Sequence, residues 1–185
     1  KKIDGVILLI HEQGLGDTFQ FIRYAKLLKE IGIHCDFYGP KNIHSIIKGS
    51  NLVRKCYEVG EKTSTDVKAW VAMMSLVSIL KAHSKNIFTS GEPYISIDPL
   101  KKKYWQRILG KTQKLRIALH WQGNPTHEFT ISRGRSFPLM ALSPLLDLDN
   151  IELISLQKGP GSEQAASDSF KCKWHISQPQ INQTW

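Results

Sequence analysis

Several common classes of protein are excluded by what this chain lacks. It has three cysteines, Cys35, Cys56 and Cys172, widely spaced and without a C-x-x-C pair. An odd count with such spacing argues against a disulfide framework and against a zinc site. A reducing, cytoplasmic setting is therefore expected, and no cysteine is assigned chemistry. Long apolar runs are also missing. The aliphatic blocks at 6–10, 117–121 and 151–156 fall far short of the roughly 20 residues a bilayer span requires. The N-terminus shows no signal-peptide pattern, so no membrane span is expected. There is no low-complexity tract and no short internal repeat. The opening Lys1-Lys2 without methionine, and the polar end at Trp185, read as a piece cut from a longer chain.

Acidic residues are the scarcer charge: 16 against 25 basic, for a net charge of +9. Clustered Lys and Arg gain affinity for nucleic acid by releasing counterions from the phosphate backbone. Here the clustering is modest. Lys101, Lys102 and Lys103 are the single basic triplet, and Tyr104, Trp105, Ile108 and Leu109 beside them suggest an amphipathic helix with a solvated basic face. Nucleic acid is disfavoured, while a phosphate-bearing small molecule suits a basic cleft. The 41% apolar content of the 185 residues is that of a globular chain with a real core.

The apolar blocks alternate with helical patterns. Residues 5–11 form a continuous apolar run suited to a strand buried on both faces, followed by the turn Gly14-Leu15-Gly16. From Asp17 and Thr18 an apolar stripe predicts one helix up to Gly32, and 33–38 the next strand. Further along, 42–48 and 76–82 read as helices, 53–59 and 69–74 as strands, and 92–96 as extended. A helix opens at Asp98-Pro99 and runs to about Leu109. The pattern then restarts: a strand over 115–121, a long polar loop over 123–134, a helix over 138–146, a strand over 151–156, and a weaker helix from Glu163. This order predicts an α/β chain with parallel sheets and a domain boundary near residue 110, dividing 1–110 from 111–185.

A strand running into Gly14-x-Gly16 and then a helix sets backbone N–H groups and a positive helix end beside any bound anion. The dinucleotide fingerprint is incomplete, because Phe19 stands where a third glycine is needed. Asp36, near the end of the second strand, would be the ribose-binding acid of such a site, but a nicotinamide or flavin site is disfavoured. Asp17 has two readings. It caps the helix it opens, or it is a carboxylate at the ligand-binding edge of a parallel sheet, placed to take a proton. Pattern alone favours the cap. His11, His120 and His127 lie in or beside apolar strands, where core or hydrogen-bonded roles are commoner than catalysis, and no two have metal-ligand spacing.

Three segments carry a resemblance to a known family. They are Ile7-Leu8-Leu9-Ile10-His11-Glu12-Gln13-Gly14-Leu15-Gly16-Asp17-Thr18, continuing Gln20-Phe21-Ile22-Arg23-Tyr24-Ala25; then His120-Trp121-Gln122-Gly123-Asn124-Pro125-Thr126-His127 with Arg133-Gly134-Arg135-Ser136-Phe137-Pro138-Leu139; and Ser155-Leu156-Gln157-Lys158-Gly159-Pro160. Together they resemble the glycosyltransferase domain that follows tetratricopeptide repeats in many bacterial proteins. That domain is similar to the heptosyltransferases and, more distantly, to the O-linked N-acetylglucosamine transferases. Met74-Ser75-Leu76 is a weaker echo.

The resemblance implies a GT-B fold of two Rossmann-like halves, the first complete here and the second truncated. The acceptor, a protein or glycan hydroxyl, would bind mainly to the first half, and a nucleoside-diphosphate sugar mainly to the second. No metal and no other cofactor is implied, and tetratricopeptide repeats are expected upstream in the parent. By the same resemblance Asp17 is the base, with Gly14, Gly16 and Thr18 in its loop. Arg135 stands where heptosyltransferases carry lysine and would neutralise the donor diphosphate, a task its planar fork suits, with Arg133 in support. Without the resemblance, Arg135 reads as an exposed loop residue. Gly123 and Asn124 would let donor phosphate approach the backbone, and Gln157, Lys158 and Glu163 would contact nucleotide or ribose. Members of the family carry a further aspartate-threonine segment and an alanine-histidine-leucine helix start; neither occurs between Gln157 and Trp185. The expectation is an incomplete donor site and a fragment inactive alone. A non-catalytic binding or scaffold module is the rival reading.

Overall fold

Five consecutive aliphatic residues, Val6–Ile10, form the first strand, β1, and four of the five are buried. A strand needs such a run when both its edges and both its faces are covered. In the computed structural model, which describes residues 5–81, 93–130, 134–171 and 173–176, β1 lies between two parallel neighbours. On one side β2 (His34–Tyr38) pairs with it from Val6↔His34 to Ile10↔Tyr38. On the other, β4 (Val67–Ala72) pairs from Val6↔Val67 to Ile10↔Ala72 with one irregularity. A short strand β3 (Cys56–Tyr57) flanks β2, giving the order β3-β2-β1-β4. The chain steps outward from β1 to β3 and then returns to the far side of β1. A topological switch point therefore lies between β1 and β4.

Cross-strand partners share a face, so Ile7, Leu9, Cys35, Phe37 and Val71 point the same way. Helices α1 (Leu15–Phe21), α2 (Tyr24–Glu30) and α3 (His44–Gly49) bring Ile22, Tyr24, Ala25, Leu28 and Ile47 into one core with them. The single helix expected over 17–32 is two. At the junction the hydrogen bonds Ala25 N–H to Ile22 O and Lys26 N–H to Arg23 O tighten to the i→i−3 type. No glycine or proline marks this break, so the apolar stripe runs through it unchanged. The strand expected over 53–59 shrinks to two residues, and a short helix α4 (Leu76–Ile79) stands within the helix expected over 76–82. Residue 92, at the start of the expected extended segment, lies outside the described residues.

The chain divides into two compact units, Lys1–Lys102 and Lys103–Trp185, at the helix α5 (Pro99–Leu109). In the second unit, β5 (Leu115–Leu119) and β6 (Ile151–Ser155) pair in parallel, and β7 (Trp174–Ile176) adds to β6. Its core gathers Leu119, Trp121, Leu139, Leu153, Ala165 and Phe170. Trp174 stacks on both Trp121 and Phe170, at centroid distances of 6.1 and 5.8 Å.

Three expectations change here. The polar loop over 123–134 contains a helix, α6 (Pro125–Thr130), started by Asn124, whose Oδ1 accepts the Thr126 N–H at 3.0 Å. Residues Leu139–Asp147 wind as a 3-10 helix instead of an α-helix. Pro144 within it has no N–H to give an α-helical bond. The weak helix from Glu163 is a 3-10 turn, Ser162–Ala166, followed by α7 (Asp168–Lys171). Across the described residues the architecture is a mixed α/β chain with two parallel sheets, and no helix is long and apolar enough to cross a membrane.

Candidate functional site

The loop leaving β1 arrives at the switch point of the first sheet. Gln13 takes a positive φ of 57°, and Gly14 then caps α1 in an extended conformation. Asp17, in the first turn, reaches back so that its Oδ2 accepts the Gly14 N–H at 2.9 Å. That bond satisfies one of the orphan donors of the helix end, so the capping reading of Asp17 is realised. The carboxylate is half-buried and stays at the C-terminal edge of the sheet. Thr18 is buried, with its hydroxyl against His11 Nδ1. Gly16 is exposed.

Two further residues fix this loop, and the motif gave no signal for either. Glu12 Oε2 accepts the Met74 N–H at 3.1 Å, tying the end of β1 to the turn after β4 across the switch point. Gly39, at the exit of β2, lies so close that a Cβ there would meet Phe37 Cζ at 2.5 Å and His11 Cβ at 2.6 Å. The Glu12–Met74 and Gly39–His11 contacts join segments far apart in sequence, which periodicity does not encode.

Asp36 is not a ribose-binding acid. It is fully buried in mid-strand, and Arg54 grips it through Nε and Nη2, each at 3.1 Å. Lys55 N–H and the Tyr57 hydroxyl also donate to it. A buried carboxylate needs such pairing, and the pairing leaves it turned inward. Arg54 extends to Asp66 at 2.8 Å. The Ser64 hydroxyl and Arg54 hold the Asp66 carboxyl down at about 2. Burial pushes the Cys35 thiol up to about 12 and the Cys56 thiol up to about 11, leaving both poor nucleophiles.

Two cavities open elsewhere on this unit. One, of about 230 Å³, is lined by Ile33, His34 and Arg54 among others, and a second, of about 380 Å³, by Lys26, Ser50 and Tyr94 among others. The two share Lys29, Asn51 and Leu52 in their walls, and neither includes Asp17 or its loop.

In the second unit the candidate donor residues separate into two groups. Gln157, expected to meet the nucleotide, is turned inward and 1% exposed. Its Oε1 accepts the N–H groups of Trp121 and Gln122 at 3.1 and 3.0 Å. Its Nε2 donates to the carbonyls of Gln122 and Pro160, both at 2.8 Å. Two donors and two acceptor positions are the whole capacity of an amide side chain, so Gln157 is a clamp joining the loops after β5 and β6. The Trp121 indole N–H completes the joint on Gly161 O at 3.1 Å.

The other group faces outward along the C-terminal edge of the sheet. Gly123 N–H donates to Ser136 Oγ at 2.9 Å, and that hydroxyl donates to Glu128 Oε1 at 2.5 Å. Ser136 N–H donates to Glu128 Oε2 at 3.2 Å. Arg135, next in sequence to Ser136, is exposed, as are Asn124, Lys158, Glu163 and His120. Arg133 lies outside the described residues, as does the side chain of His127. Glu128 and Ser136 are the residues to which the motif reading gave no role: Ser136 lies inside its second segment, and Glu128 in the gap between that segment's two parts.

Away from this edge, burial would raise the Glu152 carboxyl, but hydrogen bonds from Arg116 and Thr112 outweigh it and hold the group below its ordinary value. This cluster ties the segment after α5 to the sheet: Arg116 Nη2 donates to Gly110 O at 3.0 Å. Among the described residues no group of three or more His, Cys, Asp or Glu side chains is placed to hold a metal ion. Comparisons of the chain with protein-family models, with curated proteins and with solved structures gave no match.

Proposed function

We propose that the chain belongs to a nucleotide-sugar glycosyltransferase of the GT-B type, its first unit serving the acceptor and its second the donor. The observation that carries this reading is the placement of Asp17 at the switch point between β1 and β4, the position at which parallel α/β sheets take ligands. The motif resemblance supplies the reaction class.

In this reaction Asp17 accepts the proton of an acceptor hydroxyl as its oxygen attacks the anomeric carbon of the donor sugar. The bond from that carbon to the diphosphate oxygen breaks, and the nucleoside diphosphate leaves with the electron pair. Negative charge grows on the leaving group, where a guanidinium and backbone N–H groups stabilise it most. Arg135, with Arg133, supplies the former and the Gly123 region the latter. Lys158 and Glu163 flank the nucleotide. Gln157 acts through its grip on Trp121, Gln122 and Pro160, as a positioning residue.

The test uses the parent protein. Asp17→Asn keeps an oxygen that can accept the Gly14 N–H, so the loop is retained, while transfer is lost and nucleoside-diphosphate affinity stays within about twofold. Retained turnover removes the base assignment. Arg135→Ala weakens the binding of uridine, guanosine or adenosine diphosphate in calorimetry by about tenfold, on the scale of a charge-assisted hydrogen bond. Unchanged affinity removes its phosphate role.

One observation favours a second reading, a binding module without chemistry: Asp17 and Gln157 both spend hydrogen bonds on the chain's own backbone. Nucleoside-diphosphate binding by the parent without turnover on any hydroxyl acceptor supports that alternative.

A further inference from the structure

The Glu128 carboxylate is held in the manner of a bound anion. One oxygen takes a main-chain N–H, from Ser136 at 3.2 Å, and the other a hydroxyl, from Ser136 Oγ at 2.5 Å. The hydroxyl in turn takes the Gly123 N–H at 2.9 Å. A hydroxyl has one proton to give, so the polarity of the chain is fixed: Gly123 N–H to Ser136, and Ser136 to Glu128. Gly123 makes room for this arrangement, since a Cβ there would lie 2.6 Å from Glu128 Oε1. A backbone N–H, a hydroxyl and a glycine that clears the approach, at the C-terminal edge of a parallel sheet and next in sequence to an exposed arginine, are what a phosphate group is bound by. A carboxylate presents the same pair of acceptor oxygens with less charge.

We infer that Glu128 is a resident occupant of a diphosphate subsite, and that a phosphate oxygen pair displaces it to take over Ser136 N–H and Ser136 Oγ–H. This rests on the reading of the second unit as the donor side. The displacement sets a threshold. A multiply charged phosphate, helped by the charge of the neighbouring Arg135, outcompetes the single charge of Glu128 for these donors, whereas a monoanion does not. The subsite is thereby closed to chloride and simple carboxylates and open to diphosphates. The rival account, in which Glu128 is a clasp that merely keeps the loop 123–136 folded, predicts the opposite sign on removing its charge.

Glu128→Gln retains the shape and one acceptor oxygen while deleting the charge and turning the second acceptor into a donor, and inorganic pyrophosphate is the probe. Calorimetry on the chain and on E128Q should show the variant binding about five- to tenfold more tightly, the scale of one partly screened charge at contact distance. In the unsubstituted chain, amide resonances of Gly123 and Ser136 should shift as pyrophosphate saturates. Binding by the unsubstituted chain with equal or weaker binding by E128Q overturns the inference and leaves the diphosphate reading standing. Pyrophosphate binding by neither protein also overturns the inference, and nucleoside-diphosphate calorimetry on the parent then decides the diphosphate reading. Should E128Q fail to fold, the amide measurement decides alone: saturation without movement of the Ser136 resonance refutes displacement.

Discussion

Arg54 and Asp36 form a bidentate pair, Nε to Oδ1 and Nη2 to Oδ2, in which the carboxylate is wholly buried and the guanidinium a third exposed. The pair sits in the middle of β2 and anchors the β2–β3 connection. Arg54→Ala leaves the carboxylate buried without its cation. It should cost roughly 3 kcal/mol of stability, the lower end of the range for breaking a buried pair, because Lys55 N–H and Tyr57 remain. Urea unfolding measures this, and a loss under about 1 kcal/mol would show the pair to be dispensable.

Gln157→Glu is nearly isosteric and should nonetheless destabilise the second unit by roughly 2–4 kcal/mol. Replacing Nε2 by an oxygen sets a carboxylate against the carbonyls of Gln122 and Pro160, each now 2.8 Å from an amide donor. Thermal unfolding followed by tryptophan fluorescence reports it, since Trp121 is held by the same clamp. A variant as stable as the parent chain would contradict the clamp.

The cap made by Asp17 is measurable apart from the proposed base role. Asp17→Ala deletes the acceptor of the Gly14 N–H and should cost about 1 kcal/mol, whereas Asp17→Asn should cost a few tenths. Equal stabilities for the two variants, compared by denaturant midpoint, would mean that the cap contributes nothing.

Asp66 titrates from an ordinary 3.8 down to about 2 in the folded protein, through the Ser64 hydroxyl and Arg54. A carboxyl whose folded value lies below its unfolded one contributes stability above the unfolded value and loses it as pH falls through the folded one. The contribution should therefore be whole at pH 5 and fade between about pH 4 and 2. Asp66→Asn should flatten that part of the stability-versus-pH curve, and added salt should shrink the difference because the group is exposed. Parallel curves for the two proteins would exclude the pairing.

The order of elements could be read from the sequence because β1 is a continuous apolar run, because β5 and β6 are short segments in which aliphatic residues predominate, and because Asp98-Pro99 marks a helix start plainly. What escaped reading has specific causes. The helix α6 hides in a polar loop because its start depends on the Asn124 side chain and not on an apolar stripe. The 3-10 winding of Leu139–Asp147 follows from Pro144 inside an otherwise helical pattern. The motif residues themselves proved legible by position but not by orientation. Asp17 and Gly123 stand at sheet edges as the strand-turn pattern requires, yet Gln157, one residue from the exposed Lys158, turns inward. Its partners lie 35 and 36 positions away along the chain, and no local pattern announces a contact at that separation. The Glu128–Ser136 bond spans eight positions and carries no recurring spacing to mark it.

Gly39 has no side chain to bond with, yet it governs where a neighbouring loop is placed. Because its missing side chain is what admits both the Phe37 ring and His11, even alanine there would push the end of the first strand outward, carrying with it the residue that touches Thr18. The aim of the Asp17 loop is thus set in part from the neighbouring strand, by a methyl group that is not there.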